Sequence, residues 1–586
     1  MKEWQERFAP YVQALPGILQ YQLFTKFVLG VWLYLAGRVF RLLLSSTGRV
    51  AVSSGDFIFM FTHWQGILML LGMIVSLYIY VAIDLNAKIV LSRDLLSGEP
   101  IHVWSILRKA FPTIKRFINV RGIGVILYIA LIAPILGFGV SLSITEGLYI
   151  PTFISSVIAD TPLYLVAVSL LVLVFLSVGI ANLYILHGVV LDDLSVIEAG
   201  LRSKKLIRKN WKDYLKQNIL FILVLAVMLA AVIGIFLLLP LALIRLLPLP
   251  AAASRTVTVF VVLSGVLLSL FADLFASPLY MMKMTQLYRI YGREEAVHFH
   301  KWDKRKHAYT VAGVAVWILV TLLASGILVR YFDTLFPQES SVRIIAHRGG
   351  GSEGAENTVA GIEKAWEIGA YGSEIDIQRT KDGFYVLNHD DNFKRTTGEK
   401  RKPSEMTLEE IKELSVDGQP VPTLEEALLA GKGRGVLFIE LKGKTADRQM
   451  ADDAVKAVKD HGMEEECVLI SLSYPLIDYL ETTYPEMETG YLTFASFGDT
   501  ALLNCDYLAL EEESATAATI DAIHARGKKA LVWTANESRS QKHFLCSMAD
   551  GMITDQIRQA AELADKMKER DDLQRMVDRI MGIIGS

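Results

Sequence analysis

Cysteine is nearly absent from this chain of 586 residues: Cys467, Cys505 and Cys546 are all it has. The number is odd and no metal-ligand spacing connects them, so neither a disulfide framework nor a cysteine metal site is expected. They read as small buried residues. No cleavable leader is expected either. The first apolar run contains Lys26 and Arg38 and offers no small-residue cleavage site. Overall charge is slight, at −3, but it hides an asymmetry. Long apolar runs and basic loops fill the first 330 or so residues, whereas the remainder lacks such runs and has an ordinary soluble composition. Hydrophobic residues make up 52% of the chain and the mean hydropathy is +0.37. A membrane half carrying a soluble domain accounts for both numbers, and the chain is too long for one ordinary domain.

About seven segments are long and apolar enough to span a bilayer. They lie near 22–44, 57–84, 121–142, 161–189, 217–244, 256–281 and 309–332, after a mixed, interfacial stretch over residues 1–20. The loops near 85–120, 190–216 and 282–308 are rich in Lys and Arg, and the alternate loops are poor in them. Basic loops face the cytoplasm. An odd number of spans then places the N-terminus inside and the C-terminal domain outside a plasma membrane. Each basic loop also reads as an amphipathic segment, either a headgroup-lying helix or a plain positive flank. Asp273 falls inside a span, where a carboxylate is either functional or bonded to a neighbouring helix. His298, His300 and His307 cluster in a loop whose Lys and Arg would repel a metal ion.

The soluble half is organised around Arg343 to Asp391. The run RIIA delivers His347, Arg348 and Gly349 at its end. GSEIDIQ carries Glu374 and Asp376 two residues apart, on one face of a strand and about 7 Å from each other along it. LFIELKG repeats the spacing with Glu440 and Lys442. Three carboxylates can hold a hard cation, a lysine can hold a phosphate, and His347 with His389 can form an acid/base pair. Together they point to metal-assisted phosphoryl chemistry.

The ordered set AHRG (346–349), ENT (356–358), EIDIQRTKDG (374–383), HD (389–390), RTTG (395–398), IELK (439–442), VWTAN (532–536) and ITD (553–555) resembles the glycerophosphodiester phosphodiesterase family. One departure is Ala355, where proline commonly precedes the ENT. The layout of the N-terminal half is similar to the membrane domain fused to bacterial members. The resemblance implies a phospholipase C-like TIM barrel, glycerophosphodiester hydrolysis to glycerol 3-phosphate and an alcohol, and one divalent cation, Ca²⁺ or Mg²⁺. It implies Glu374, Asp376 and Glu440 as metal ligands, His347 and His389 as catalytic acid and base in an order left open, and Arg348 and Lys442 on the substrate phosphate. Glu356 is either a fourth ligand or a cap for the helix that follows. Trp533 either lines the glycerol pocket or is structural.

The expected organisation is a polytopic membrane domain over 1–333, a linker over 334–342, the barrel over 343–570 and an amphipathic tail over 571–586 that docks on either membrane or barrel. Eight strand-like runs supply the barrel, FYVLNHD forms an antiparallel partner at its mouth, and 391–422 is an insertion over the site. The partners expected are the substrate and membrane lipid, with no nucleic acid, and the oligomeric state is left open. The other readings are a lysophospholipase D, a hydrolase of teichoic-acid glycerophosphate, and a lipid-handling membrane protein whose barrel only binds.

Overall fold

A computed structural model describes residues 2–584 apart from 54–56, 100, 127–157, 159–160, 248, 293–303 and 495. It divides into two compact units, Met1–Val39 with Leu68–Arg330, and Phe40–Ile67 with Tyr331–Ser586.

The first unit is helical. Among the described residues, six helical stretches are long and apolar enough to cross a membrane: Pro10–Ser45, Trp64–Leu96, Pro162–Leu191, Val196–Ala242, Ala251–Gly292 and Ala315–Leu335. The span expected near 121–142 lies mostly outside the described residues, as do His298 and His300 and the side chain of His307. Two expectations are corrected. Residues 1–20 are no separate interfacial stretch, because one helix runs from Lys2 to Ser45. The basic segment after Asp193 is no separate surface helix either. Ser195 and Glu198 cap a helix, Val196–Ile233, that continues from the basic stretch into the span. Helical propensity has no reason to fall between the two, since no Gly or Pro intervenes. The Asp273 carboxylate meets Lys26 Nζ at 3.1 Å, so the intramembrane charge is paired.

The second unit is a closed barrel. Its strands, with short flanking ones, are β1 (Ala51–Ser53), β2 (Arg343–Ala346), β3 (Gly372–Arg379), β4 (Tyr385–Leu387), β5 (Ser415–Val416), β6 (Gln419–Pro420), β7 (Val436–Leu441), β8 (Cys467–Ser471), β9 (Glu488–Thr493), β10 (Ser496–Gly498), β11 (Tyr507–Glu511), β12 (Lys529–Trp533) and β13 (Gly551–Thr554). Eight of them run parallel in the order β2-β13-β12-β11-β9-β8-β7-β3, and β3 closes on β2. β4 lies antiparallel on β3, and β5 and β6 form a hairpin within the insertion.

Period-2 alternation explains the barrel's two cores. Ile375, Ile377, Leu437, Ile439 and Leu441 join the layer packed with the helices, whereas Phe438, Val468, Ile470, Leu492 and Leu531 belong to a second cluster that fills the barrel. Glu374, Asp376 and Glu440 take the inward alternation, toward the C-terminal strand ends. Gly372 shares that alternation nearer the floor, where a Cβ would fall 2.9 Å from the Phe438 ring.

The linker is no loose tether. Phe332 is buried, and Gln338 Nε2 donates to the carbonyls of Met567, Lys568 and Arg570. The tail forms a helix, Asp572–Ile584, whose Arg575 bonds Asp333 Oδ1 at 2.7 Å and the Phe336 carbonyl at 2.8 Å. Of the two docking partners expected for the tail, the structure shows the catalytic unit.

Candidate active site

The barrel rim gathers groups from five strand ends. β3 brings Glu374 and Asp376, and β7 brings Glu440 alongside, with Asp376 in register with Glu440. Oxygens of the three carboxylates lie within 4.8 Å of one another, and all three side chains are buried. Lys442 Nζ donates to Asp376 Oδ1 and to Glu440 Oε2, both at 2.9 Å. The Arg348 backbone N–H donates to Glu374 Oε2 at 2.8 Å. Asn357 clasps Asp376 from both sides, its Nδ2 giving a bond to Oδ2 at 2.8 Å and its Oδ1 accepting the Asp376 backbone N–H at 3.0 Å. Arg348 and Asn357 both adopt left-handed backbone, with φ of 49° and 53°. Strain of this kind persists only where surrounding bonds fix it, and here both residues are held against the carboxylates.

Three buried carboxylates against one ammonium leave the cluster with excess negative charge. Burial, then the charges of Asp376 and Glu440, push the Glu374 carboxyl well above the usual carboxylate range. Burial also raises Glu440, to about 7, although Lys442 opposes it. For Asp376 burial is outweighed by Lys442, His389 and Asn357, and the net direction is down. Burial would lower Lys442, but Asp376 and Glu440 prevail and hold it charged. An all-oxygen donor set with surplus negative charge fits a hard divalent cation.

Each histidine has its own carboxylate. His347 Nδ1 lies 2.7 Å from Asp555 Oδ1, and Asn536 Nδ2 holds the other Asp555 oxygen at 2.6 Å. His389 Nδ1 lies 2.9 Å from Asp390 Oδ1. Arg395 Nε binds Asp390 Oδ2 at 2.8 Å, and its two Nη atoms fork onto Glu356 at 2.6 and 2.7 Å. Arg395 draws the Asp390 carboxyl down to about 2. Arg348 Nη2 meets His389 Nε2 at 2.9 Å. A guanidinium only donates, so Nε2 accepts, and the ring is neutral with its proton on Nδ1, facing Asp390. Burial first, then the nearby Lys442 and Arg348 charges, lower the His389 pKa. Arg348 Nε is buried and has no hydrogen-bond partner among the described residues, a donor that an anion would satisfy.

All seven principal candidates thus meet at one rim. Glu356 does not join the carboxylate cluster but pairs with Arg395, and the cap of the following helix is Thr358, whose side chain accepts the Gly361 N–H. Trp533 ends β12 half-buried and donates Nε1–H to the Ala509 carbonyl at 2.9 Å. The sequence alone assigns no role to Asp390, Arg395, Asn536 or Asp555, although each lies inside a quoted motif, HD, RTTG, VWTAN or ITD.

A cavity of about 430 Å³ opens beside the cluster, lined by Glu440, Lys442, Ser471, Tyr474, Pro475 and Tyr491. Two cavities of about 680 Å³ in the helical unit are larger, one mainly apolar among Phe24, Val28, Trp32, Ile83 and Trp104, and one among Arg116, Arg121, Asp193 and Glu198. Neither is lined by a histidine or by a cluster of three carboxylates.

Residues 347–559 match the model of the glycerophosphoryl diester phosphodiesterase family, and residues 6–324 match the membrane domain of glycerophosphoryl diester phosphodiesterase. The chain is 29% identical over 231 residues to a glycerophosphodiester phosphodiesterase of Caldanaerobacter subterraneus, covering 36% of this chain and 93% of that protein. It is 34% identical over 146 residues to human glycerophosphodiester phosphodiesterase 1, covering 23% of this chain and 42% of that protein. A solved Silicibacter pomeroyi structure described as a glycerophosphoryl diester phosphodiesterase is similar with a TM-score of 0.37 and 23% identity, over 40% of this chain and 98% of that one.

Proposed function

The chain belongs to the glycerophosphoryl diester phosphodiesterase family, and from that premise we propose a divalent-metal-dependent hydrolysis that releases glycerol 3-phosphate and an alcohol. It is a multi-pass membrane phosphodiesterase. One observation carries the finer reading: two imidazoles, each with Nδ1 against its own carboxylate, share a rim with three clustered carboxylates and with Arg348.

Glu374, Asp376 and Glu440 would hold the cation, Ca²⁺ or Mg²⁺. When bound, it supplies charge neutralisation at the phosphoryl oxygens and acidifies a hydroxyl. Arg348, with its partnerless Nε–H, and Lys442 bind the phosphate oxygens. Phosphate competes for the Arg348 guanidinium and frees His389 Nε2. His389, neutral and with Nδ1–H fixed by Asp390, takes the proton of the glycerol hydroxyl adjacent to the phosphate. That oxygen attacks phosphorus, and the bond to the leaving alcohol breaks. His347, whose Nδ1 is fixed by Asp555, gives a proton from Nε2 to the leaving oxygen. The roles then reverse as water opens the cyclic phosphate. Glu356 serves by holding Arg395, and Trp533 borders the site as a packing residue.

The alternating loop charge supports a cytoplasmic N-terminus and an external catalytic domain in a plasma membrane. Protease treatment of intact cells should remove the barrel, and a protected barrel would refute this orientation. The function is tested by assaying purified full-length chain on a panel of soluble, lipid and polymeric glycerophosphodiesters. Glycerol 3-phosphate release from those lacking an acyl chain is expected. Tight substrate binding without turnover, metal present, would favour the binding-only alternative.

A further inference from the structure

The apolar cavity of the helical unit has a charged end and an apolar end. Three pieces of chain wall it: the helix Lys2–Ser45, the helix Trp64–Leu96, and the segment from Trp104 to Pro112 that follows. The third piece folds back along the second. Lys109 Nζ meets Asp94 Oδ2 at 2.9 Å, Asn86 Nδ2 donates to Thr113 Oγ1 at 2.8 Å, and the Tyr78 hydroxyl donates to the Phe117 carbonyl at 2.9 Å. Later residues of the segment thus meet earlier residues of the helix. Arg108, next to Lys109, sits at the end that carries the basic loop, and Phe111 and Pro112 lie deeper.

Unpaired charge is confined to the loop end. Arg93 and Lys109 share Asp94 there, whereas Arg108 has no ion-pair or hydrogen-bond partner among the described residues. It is the one cation among the residues that line the cavity. Trp104 precedes it by one turn on the helix Val103–Ala110 and is 75% exposed. Tryptophan beside a basic residue is the pattern of a membrane–water interface. Further in, Asp84 lies 2.7 Å from Lys88 and both are buried, so that pair adds no net charge. Beyond the pair the walls are apolar.

Shape and surroundings select the occupant. Phe24, Val28 and Trp32 are exposed along the open side, and both long helices that bear the cavity are apolar enough to span a membrane. The cavity therefore opens sideways into hydrocarbon, which a polar solute does not enter. From Tyr21 to Trp32 the helix rises about 16 Å, about half the hydrocarbon thickness of a bilayer. A cleft one leaflet deep, with a lone guanidinium at its headgroup end, fits a lipid with a phosphate, which a guanidinium binds through two parallel hydrogen bonds. A zwitterionic headgroup brings its own ammonium to that phosphate and a like charge to Arg108. A net negative headgroup brings neither.

We propose that this cleft is a binding site for one phospholipid of net negative charge, its phosphate on Arg108 and an acyl chain laid along Phe24, Val28 and Trp32. The lipid is a bound ligand of the helical unit and not the substrate, so the proposal stands apart from the phosphodiesterase reading.

The test is native mass spectrometry of full-length protein in detergent and chelator, titrated with palmitoyl-oleoyl phosphatidylglycerol or with the phosphatidylcholine of the same chains. Wild type should retain one phosphatidylglycerol saturably and hold phosphatidylcholine about tenfold more weakly. Arg108→Gln should lose that preference, a fall of about tenfold for phosphatidylglycerol, because charge-assisted hydrogen bonds are lost. Equal retention of the two lipids by wild type, or an Arg108→Gln curve that superimposes on wild type, overturns the proposal. Displacement of the lipid by inorganic phosphate at equal concentration would make the ligand a free anion and overturns it too. Should Arg108→Gln not fold, Val28→Trp decides. It changes an exposed position and fills the chain groove, so both lipids should weaken alike, and unchanged retention of both overturns the proposal.

Discussion

Arg395 grips Glu356 through two parallel hydrogen bonds, 2.6 and 2.7 Å long, and with its Nε fixes Asp390, the carboxylate that orients His389. A residue outside the carboxylate cluster thus sets both the position of an imidazole and the charge behind it. Arg395→Ala should lower kcat by about tenfold or more, since loss of such an orienting partner misplaces the reacting group. It also leaves the Asp390 charge unneutralised beside His389. That charge favours the imidazolium, so the His389 pKa rises and the acidic limb of the kcat/KM profile moves to higher pH. A lower kcat with an unmoved limb would reduce Arg395 to packing.

His347→Ala and His389→Ala should each cost about 10² or more in rate, the usual contribution of a positioned acid or base. Full-length chain assayed on glycerophosphocholine reads this directly. Near-normal turnover by either variant would remove that histidine from the mechanism.

Asp555→Asn preserves shape but replaces a carboxylate acceptor with an amide that can turn its NH₂ toward Nδ1. The doubly protonated ring that gives its Nε2 proton would lose the negative partner of its Nδ1–H, and the neutral ring left behind is a far poorer acid. About a 10²-fold fall in kcat with little change in KM is expected. A change confined to KM would assign Asp555 to binding.

The carboxylate cluster makes stability depend on pH and on metal together. The Glu440 carboxyl is raised from 4.5 to about 7 without a cation, so the folded state binds more protons than the unfolded one across that window. Its stabilising contribution is present below pH 4.5 and is lost as pH rises through about 7. A cation binds the deprotonated form and opposes that loss. The gain in Tm on adding Mg²⁺ or Ca²⁺ to chelated protein should therefore be larger at pH 8 than at pH 5. Equal gains would show that the cation binds elsewhere.

The barrel was legible because its strands obey a strict alternation. Glu374, Asp376 and Glu440 announce themselves as polar residues at inward positions of otherwise apolar runs, and β4 followed from the TKDG turn. The orienting residues were not legible in the same way. Asp555 reaches His347 across 208 positions, and nothing in either local pattern signals the pair. Glu356 illustrates the opposite failure: a carboxylate two residues before a helix invites a capping or ligand role, yet the competing guanidinium comes from an insertion whose path the sequence does not set. The pairing of β1 with β10 was hidden for a similar reason, since three residues between two spans carry no strand period of their own. In the helical unit, apolar length revealed the spans, but it could not reveal where a basic segment continues as the same helix.

The central claim is that Glu374, Asp376 and Glu440 hold a cation needed for phosphodiester hydrolysis. The direct measurement is glycerol 3-phosphate release from glycerophosphocholine by full-length wild type and Glu440→Gln, chelated and then titrated with Mg²⁺ or Ca²⁺. The account predicts no release after chelation, saturable recovery in wild type, and recovery in Glu440→Gln that is weaker or requires more metal. Release that persists undiminished in chelator, or a Glu440→Gln titration that superimposes on wild type, would contradict it.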